Sequence, residues 1–150
     1  MEWKKYYETG IQIVDEQHKE LFRQVGILVD YDQKKETRER IEETLNFLGE
    51  YVLRHFGTEE MMQKMLKYPK ADQHKEMHEK FVQAFVELKQ EYAVKGENLL
   101  VLMKLTKVAI DWLQDHILKQ DKDFGEYYHA QKSNGAVFAD AKEKGMTIPD

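Results

Sequence analysis

YVLRHFGTEEMM, residues 51–62, places His55 and Glu59 four positions apart. Four residues make slightly more than one turn of an α-helix, so the two side chains lie on one face, about 6 Å apart along the axis. Leu48 and Val52 precede them on the same face, at the alternating steps of three and four that are typical of a packed helix. An ionisable pair therefore occupies core positions of a predicted amphipathic helix.

The absence of cysteine restricts the chemistry that this chain can perform. It excludes disulfides, thiolate catalysis, iron–sulfur clusters and zinc sites built on cysteine. Any metal must be held by histidine and carboxylate side chains. Acidic residues outnumber basic ones by 28 to 23, the net charge is −5, and no basic block is present. We therefore expect neither nucleic acid nor an anionic membrane as a partner.

Hydropathy along the chain predicts a cytoplasmic protein with one domain. The longest apolar run, Leu99–Met103, is far too short to span a membrane. The N-terminal stretch MEWKKYYETG lacks the apolar core of a signal peptide. A chain of 150 residues can bury about two thirds of its unfolded surface in one core.

Four amphipathic helices with short connections are predicted, with approximate ranges 15–31, 37–66, 70–95 and 98–123. Asp15, Thr37 and Asn98 are the expected N-caps. Short connections between long helices favour antiparallel neighbours. We expect an all-α, up-down-up-down antiparallel four-helix bundle over residues 1–124, with an N-terminal arm. Residues 125–150 are expected to form a C-terminal extension, in which the stretch 136–144 is able to make a short helix.

Five of the six histidines fall on the apolar stripes of these helices. In an antiparallel bundle they also share one level with Glu59, because they lie early in the first and third helices and late in the second and fourth. Burying so many imidazoles and a carboxylate in one small core costs several kcal/mol for each unpaired group, which a bound metal offsets. The expected metal-ligating histidines are His18, His55, His74, His78 and His116.

A second carboxylate is expected near the end of the fourth helix, where three aspartates compete. Asp115 would point about 100° away from His116 on an ideal helix. Asp121 lies about 140° off the stripe and reaches inward only if the last turn loosens or bulges. Spacing favours Asp121 over Asp123 without excluding either.

Four features follow one another along the chain: His18, the HFGTE run at 55–59, the HKEMH run at 74–78, and His116 with Asp121. In their order and residue types they resemble the hemerythrin family, in particular its single-domain bacterial members. The resemblance covers about residues 3–124. It implies a non-haem di-iron centre with a bridging oxide or hydroxide, and it selects Asp121 as the second carboxylate. It assigns His74, His78 and His116 to one iron and His18 and His55 to the other, with Glu59 and Asp121 bridging. These ligands leave one position open on the two-histidine iron, since two octahedral ions need twelve bonds and the set supplies eleven.

The resemblance implies reversible dioxygen binding, for storage, delivery or scavenging, rather than an enzyme. Neutral imidazoles favour a carrier over the carboxylate-rich centres of ferritin-like oxidases. A di-iron peroxidase or oxidase, and a sensing or iron-handling module that acts through a separate protein partner, remain alternatives. Zinc is a less favoured metal, because a bridged site with seven ligands exceeds the needs of a tetrahedral ion. The residues expected to wall the oxygen pocket are Leu21, Phe56, Trp112, Ile117 and Leu118.

Overall fold

Four long helices pack in a closed ring in the computed structural model, which describes residues 1–30, 37–95 and 98–135. Each of these helices contacts the next, and the fourth returns to the first. The prediction of an all-α four-helix bundle is confirmed. The helices are α1, Gln12–Val29; α2, Arg38–Met65; α3, Ala71–Lys95; and α4, Leu99–His116.

Two of the three predicted N-caps are confirmed. The Thr37 hydroxyl accepts a hydrogen bond from the backbone N–H of Arg40 at the start of α2. The Asn98 side chain accepts from two backbone N–H groups in the first turn of α4. Each cap satisfies donors that the helix itself leaves without partners.

The predicted N-cap of α1 is wrong, because this helix begins at Gln12 with Ile11 in the capping position. Asp15 lies inside the first turn, and its carboxylate accepts hydrogen bonds from the backbone N–H groups of Thr9 and Gly10 and from the Thr9 hydroxyl, at 2.8–3.0 Å. The side chain therefore fastens the preceding loop to the helix. This contact holds the N-terminal arm, with its short 3₁₀ turn Lys5–Tyr7, against the bundle.

The prediction that the fourth helical segment ends near Asp123 is wrong. After α4 the chain makes a π-helical turn, Ile117–Asp121, and continues as α5, Lys122–Asn134. The predicted domain boundary after Phe124 lies within this last helix. Residues 136–144, where a short helix was expected, lie outside the described residues.

Two apolar clusters hold these elements together. The larger fills the bundle between its four helices, and the N-terminal arm adds Tyr7 and the partly buried Trp3. The smaller joins the ends of α1 and α2 to α5, and Phe124 and Tyr128 of α5 are both buried in it. Among the described residues, no helix is long and apolar enough to cross a lipid bilayer. A cytoplasmic location stays a prediction.

Candidate metal centre

The structure brings together all seven side chains that the sequence predicts as ligands. Each lies on a different helical turn, and each side chain is at most 3% exposed. Four helices and the π turn contribute to the cluster, which lies at the end of the bundle where α2 finishes and α3 begins. The side chains are His18, His55, Glu59, His74, His78, His116 and Asp121.

The five imidazoles all point the same nitrogen, Nε2, toward the centre of the cluster. They form two sets that share the two carboxylates. Three histidines with Glu59 and Asp121 have their potential ligand atoms within 4.8 Å of one another, and so do two histidines with the same two carboxylates. The first set contains His74, His78 and His116, and the second contains His18 and His55.

Each carboxylate points one oxygen toward each set. Glu59 Oε1 lies 3.4 Å from Nε2 of His18 and 3.1 Å from that of His55. Its other oxygen, Oε2, lies 3.2 Å from Nε2 of both His74 and His78. A carboxylate in this orientation can bridge two cations.

Asp121 is placed in the same way. Its Oδ2 lies 3.0 Å from Nε2 of His18, and its Oδ1 lies 3.0 Å from Nε2 of His74 and of His116. Both carboxylates therefore lie between the two histidine sets. The geometry provides two adjacent cation sites with two shared ligands.

The contacts inside the cluster are unfavourable without positive charge. Nε2 atoms of different rings approach within 3.0–3.1 Å of one another, at His18 with His55 and at His116 with both His74 and His78. All four carboxylate oxygens are buried and accept no well-directed hydrogen bond, although imidazole nitrogens lie close, because the rings point at common centres rather than at the oxygens. Buried polar atoms without partners are costly. Cations at these centres would satisfy both kinds of atom, so the residues present fit a pair of metal ions.

The electrostatics of the cluster favour retention of negative charge on the carboxylates. Burial acts to raise the pKa values of Glu59 and Asp121, but the imidazoles around them hold both pKa values well below the ordinary range. Burial opposes a charge on His18 and His74, yet Asp121 and Glu59 raise the pKa of each to about 9. In His55, by contrast, burial lowers the pKa despite the nearby Glu59. The anionic pair thus attracts positive charge into a site that is closed to water.

The π turn explains how Asp121 reaches the cluster. The wider turn, with i→i+5 spacing, brings residue 121 beneath His116, whereas a regular α-helix would turn it away. The competing aspartates are engaged elsewhere. Asp115 is exposed and pairs with Lys119, and Asp123 accepts hydrogen bonds from Lys70 and from the Tyr68 hydroxyl. Of the three candidates, Asp121 alone belongs to the cluster.

Apolar side chains cover much of the cluster, with one exception to the prediction. Leu21, Phe56 and Ile117 are buried, and the partly buried Trp112 stacks on the His116 ring at 4.2 Å between centroids. Leu118 is 40% exposed and lines a surface hollow with residues such as Asp115, so its place in the buried wall was wrongly predicted. The π turn points residues 117 and 121 inward and leaves residue 118 outside.

Sequence reasoning missed two residues that contact the imidazoles from behind, which means at Nδ1, the ring nitrogen that faces away from the centre of the cluster. His55 Nδ1 lies 2.8 Å from Gln17 Oε1, and His78 Nδ1 lies 2.9 Å from Glu60 Oε1. Gln17 and Glu60 are each adjacent in sequence to a cluster residue, His18 and Glu59. Polar neighbours of this kind, facing another helix, are the available sequence signal.

A buried cluster of histidines and carboxylates in a four-helix bundle is typical of the class of bundles that build metal sites from side chains on facing helices. The family description "Hemerythrin HHE cation binding domain" matches residues 9–128, which reaches beyond the predicted boundary at residue 124. The chain belongs to the hemerythrin family.

Individual members of the family are similar to this chain along most of their length. The bacteriohemerythrin of Pseudomonas paraeruginosa is 32% identical over 122 residues, which cover 81% of this chain and 77% of the relative. The bacteriohemerythrin of Methylococcus capsulatus is 33% identical over 119 residues, 79% of this chain and 88% of the relative. The myohemerythrin of Theromyzon tessulatum is 31% identical over 120 residues, 80% of this chain and 87% of the relative.

Proposed function

We propose that this protein binds dioxygen reversibly at a non-haem di-iron centre. The observation that carries the proposal is the orientation of Glu59 and Asp121, each of which points one oxygen at each histidine set. When bound, two ferrous ions with a bridging oxide or hydroxide would supply the two electrons that dioxygen takes up and returns. Membership of the hemerythrin family supports iron as the metal.

The unequal histidine sets determine where a small ligand would bind. The set with His74, His78 and His116 provides one more imidazole than the set with His18 and His55. With both carboxylates and a solvent-derived bridge shared equally, the two-histidine side has one coordination position fewer occupied by protein. An open coordination position would therefore fall on the metal that His18 and His55 would hold.

The surroundings of the cluster favour an uncharged diatomic ligand over water or ions. An apolar gap of about 20 Å³ lies between the helices, and its walls include Leu21, Phe56 and Trp112 but none of the seven cluster side chains. A gap of this size is about that of one water molecule, and gaps lined by apolar side chains stay dry. Exclusion of water and protons keeps a bound ligand from being lost through side reactions, which a reversible carrier requires.

Iron content and optical spectra test the proposal directly. We expect two irons per chain and a coloured oxygenated form whose absorption disappears under vacuum and returns with air, over repeated cycles. Rapid loss of that absorption, coupled to catalytic oxidation of an added reductant, would show an enzyme instead. One tetrahedral zinc in place of iron would overturn the assignment of the metal.

A pair of aspartate variants tests the site itself. Asp121→Asn removes a carboxylate that is 1% exposed and faces both histidine sets, so we expect fewer than two irons per chain. Asp115→Asn makes the same chemical change six residues away, where the side chain is exposed and paired with Lys119. Iron content should be unchanged in this control. Equal iron content in the two variants would contradict the assigned role of Asp121.

A further inference from the structure

Gln17 and Glu60 hold equivalent positions behind the two histidine sets but differ in charge. Gln17 contacts the Nδ1 atom of His55, in the two-histidine set, at 2.8 Å. Glu60 contacts the Nδ1 atom of His78, in the three-histidine set, at 2.9 Å. Glutamine and glutamate have almost the same shape, so the two contacts differ mainly in that one acceptor is a neutral amide and the other a carboxylate.

The hydrogen-bond chain around Gln17 fixes the orientation of its amide. The Thr58 hydroxyl donates to the backbone carbonyl of Arg54 and can accept from the Gln17 NH₂ group, which lies 3.2 Å away. The amide oxygen therefore faces His55 and accepts from its Nδ1–H. This leaves the lone pair of His55 on Nε2, which points toward the metal site.

Glu60 has a similar geometric effect on His78 but adds a negative charge. A carboxylate can only accept when ionised, so Nδ1 of His78 carries the proton and Nε2 is free to bind metal. A carboxylate behind a ligating imidazole also makes that imidazole a stronger electron donor. The Phe56 ring, stacked on His78 at 3.8 Å with an interplanar angle of 3°, shields one face of this imidazole from water. The charge effect therefore acts in a partly dry environment.

Resting on the proposed function, we propose that Gln17 and Glu60 are positioning residues that give the two irons unequal donor strength. Glu60 strengthens His78 and so stabilises the ferric state of the three-histidine iron. Gln17 orients His55 without adding charge, so the two-histidine iron, which has the open position, is the one more easily kept ferrous. Dioxygen binding would take one electron from each of two ferrous ions, so this asymmetry sets only which iron an external one-electron donor reduces first when the oxidised pair is returned to the ferrous state.

Three variants separate charge from orientation. Glu60→Gln removes the charge but keeps an oxygen that can accept from His78. Gln17→Glu adds a charge behind His55, and the double variant exchanges the two partners while the net charge of the chain is unchanged. Glu79→Gln is the matched control, because Glu79 is adjacent to His78 in sequence, lines the same surface groove as Glu60, and is exposed to solvent.

The experiment is a spectroelectrochemical titration of the oxidised, iron-loaded protein, with Mössbauer spectra of the half-reduced form. We expect Glu60→Gln to favour the second one-electron reduction, that of the three-histidine iron, by about tenfold, which corresponds to a rise of about 59 mV in potential. Gln17→Glu should disfavour the first reduction, that of the two-histidine iron, by a similar factor, and Glu79→Gln should leave both within about twofold of the unmodified protein. In the double variant the ferrous ion of the half-reduced form should move from the two-histidine to the three-histidine site.

Changes below about twofold in all three variants, with two irons bound, would overturn the inference and leave Glu60 as an orienting hydrogen bond. The proposed function would survive that result, because it depends on iron content and reversible oxygenation of the unmodified chain. If Glu60→Gln fails to retain two irons, Gln17→Glu decides the question, since it removes no hydrogen-bond acceptor. An unchanged potential in Gln17→Glu would then count against the inference.

Discussion

Gly125 lies where α5 crosses the N-terminal arm, and its replacement by alanine tests how this helix is held. A Cβ atom at position 125 would lie 2.5 Å from the backbone oxygen of Thr9 and 3.2 Å from its Cβ. The Thr9 backbone cannot easily move away to relieve this contact. Its N–H and hydroxyl both donate to the buried Asp15 carboxylate at 2.8 Å, and the next residue, Gly10, has a φ of +81°.

The magnitude follows from two opposing effects. Overpacking against fixed backbone costs up to about 3 kcal/mol. Replacing glycine by alanine inside a helix returns about 0.5–1 kcal/mol. The expected net loss in the free energy of unfolding for Gly125→Ala is therefore about 2 kcal/mol.

Gly57→Ala is the matched control, since Gly57 also lies inside a helix but a Cβ there would meet nothing within 4 Å. Only the helix-propensity effect remains, so we expect a gain of about 0.5–1 kcal/mol. The two variants should differ by about 3 kcal/mol. For a chain of this length that difference corresponds to about 6–12 °C in Tm.

Thermal unfolding followed by circular dichroism on the metal-free and iron-loaded proteins measures both values. Gly125→Ala should unfold below the unmodified protein and Gly57→Ala above it, in both metal states. If Gly125→Ala were as stable as Gly57→Ala, the close contact between α5 and Thr9 would be refuted. The same measurement tests whether α5 belongs to the domain, because a helix that is not part of the domain would tolerate Gly125→Ala.

Three further outcomes are expected at the metal centre. Glu59→Ala should abolish the magnetic coupling of two irons, because its two oxygens face both histidine sets; a coupled pair with an intact oxygen adduct would refute the bridging role. Leu21→Ala should accelerate autoxidation of the oxygenated form by opening the apolar wall, and an unchanged decay rate in stopped-flow absorbance would count against that role. Removal of iron should lower Tm, since metal present at 100 times its Kd stabilises the folded state by about 2.7 kcal/mol; equal Tm values with and without iron would show that metal binding and folding are not coupled.

Periodicity in the sequence predicts most of this molecule because the apolar stripes and the ligand positions obey the same geometry. His55 and Glu59 share a face through their four-residue spacing, and the antiparallel arrangement then fixes the level at which His18, His74 and His116 meet them. These inferences need no knowledge of side-chain contacts. The buried cluster has the members that the sequence predicts, while their role as metal ligands stays a prediction.

Features that depend on competition between local interactions were less predictable. Asp15 has the residue type of an N-cap, but the donors of Thr9 and Gly10 engage its carboxylate while α1 begins three residues earlier. The inward position of Asp121 depends on a π turn. Such a turn shifts the helical register, as an inserted residue would, and no clear sequence pattern predicts it. The same shift in register places Leu118 on the surface.

The π turn and the burial of the cluster are two aspects of one energetic problem. A regular helix through residues 117–121 would keep every i→i+4 hydrogen bond but would leave the cluster with one carboxylate for five imidazoles. The π turn gives up regular geometry in one turn and brings in Asp121, whose oxygens lie 3.0 Å from imidazoles of both sets. Two carboxylates would balance the charge of two cations better than one, which would offset the irregular geometry of a single turn. The proposed metal centre thus supplies a physical reason for the irregular turn.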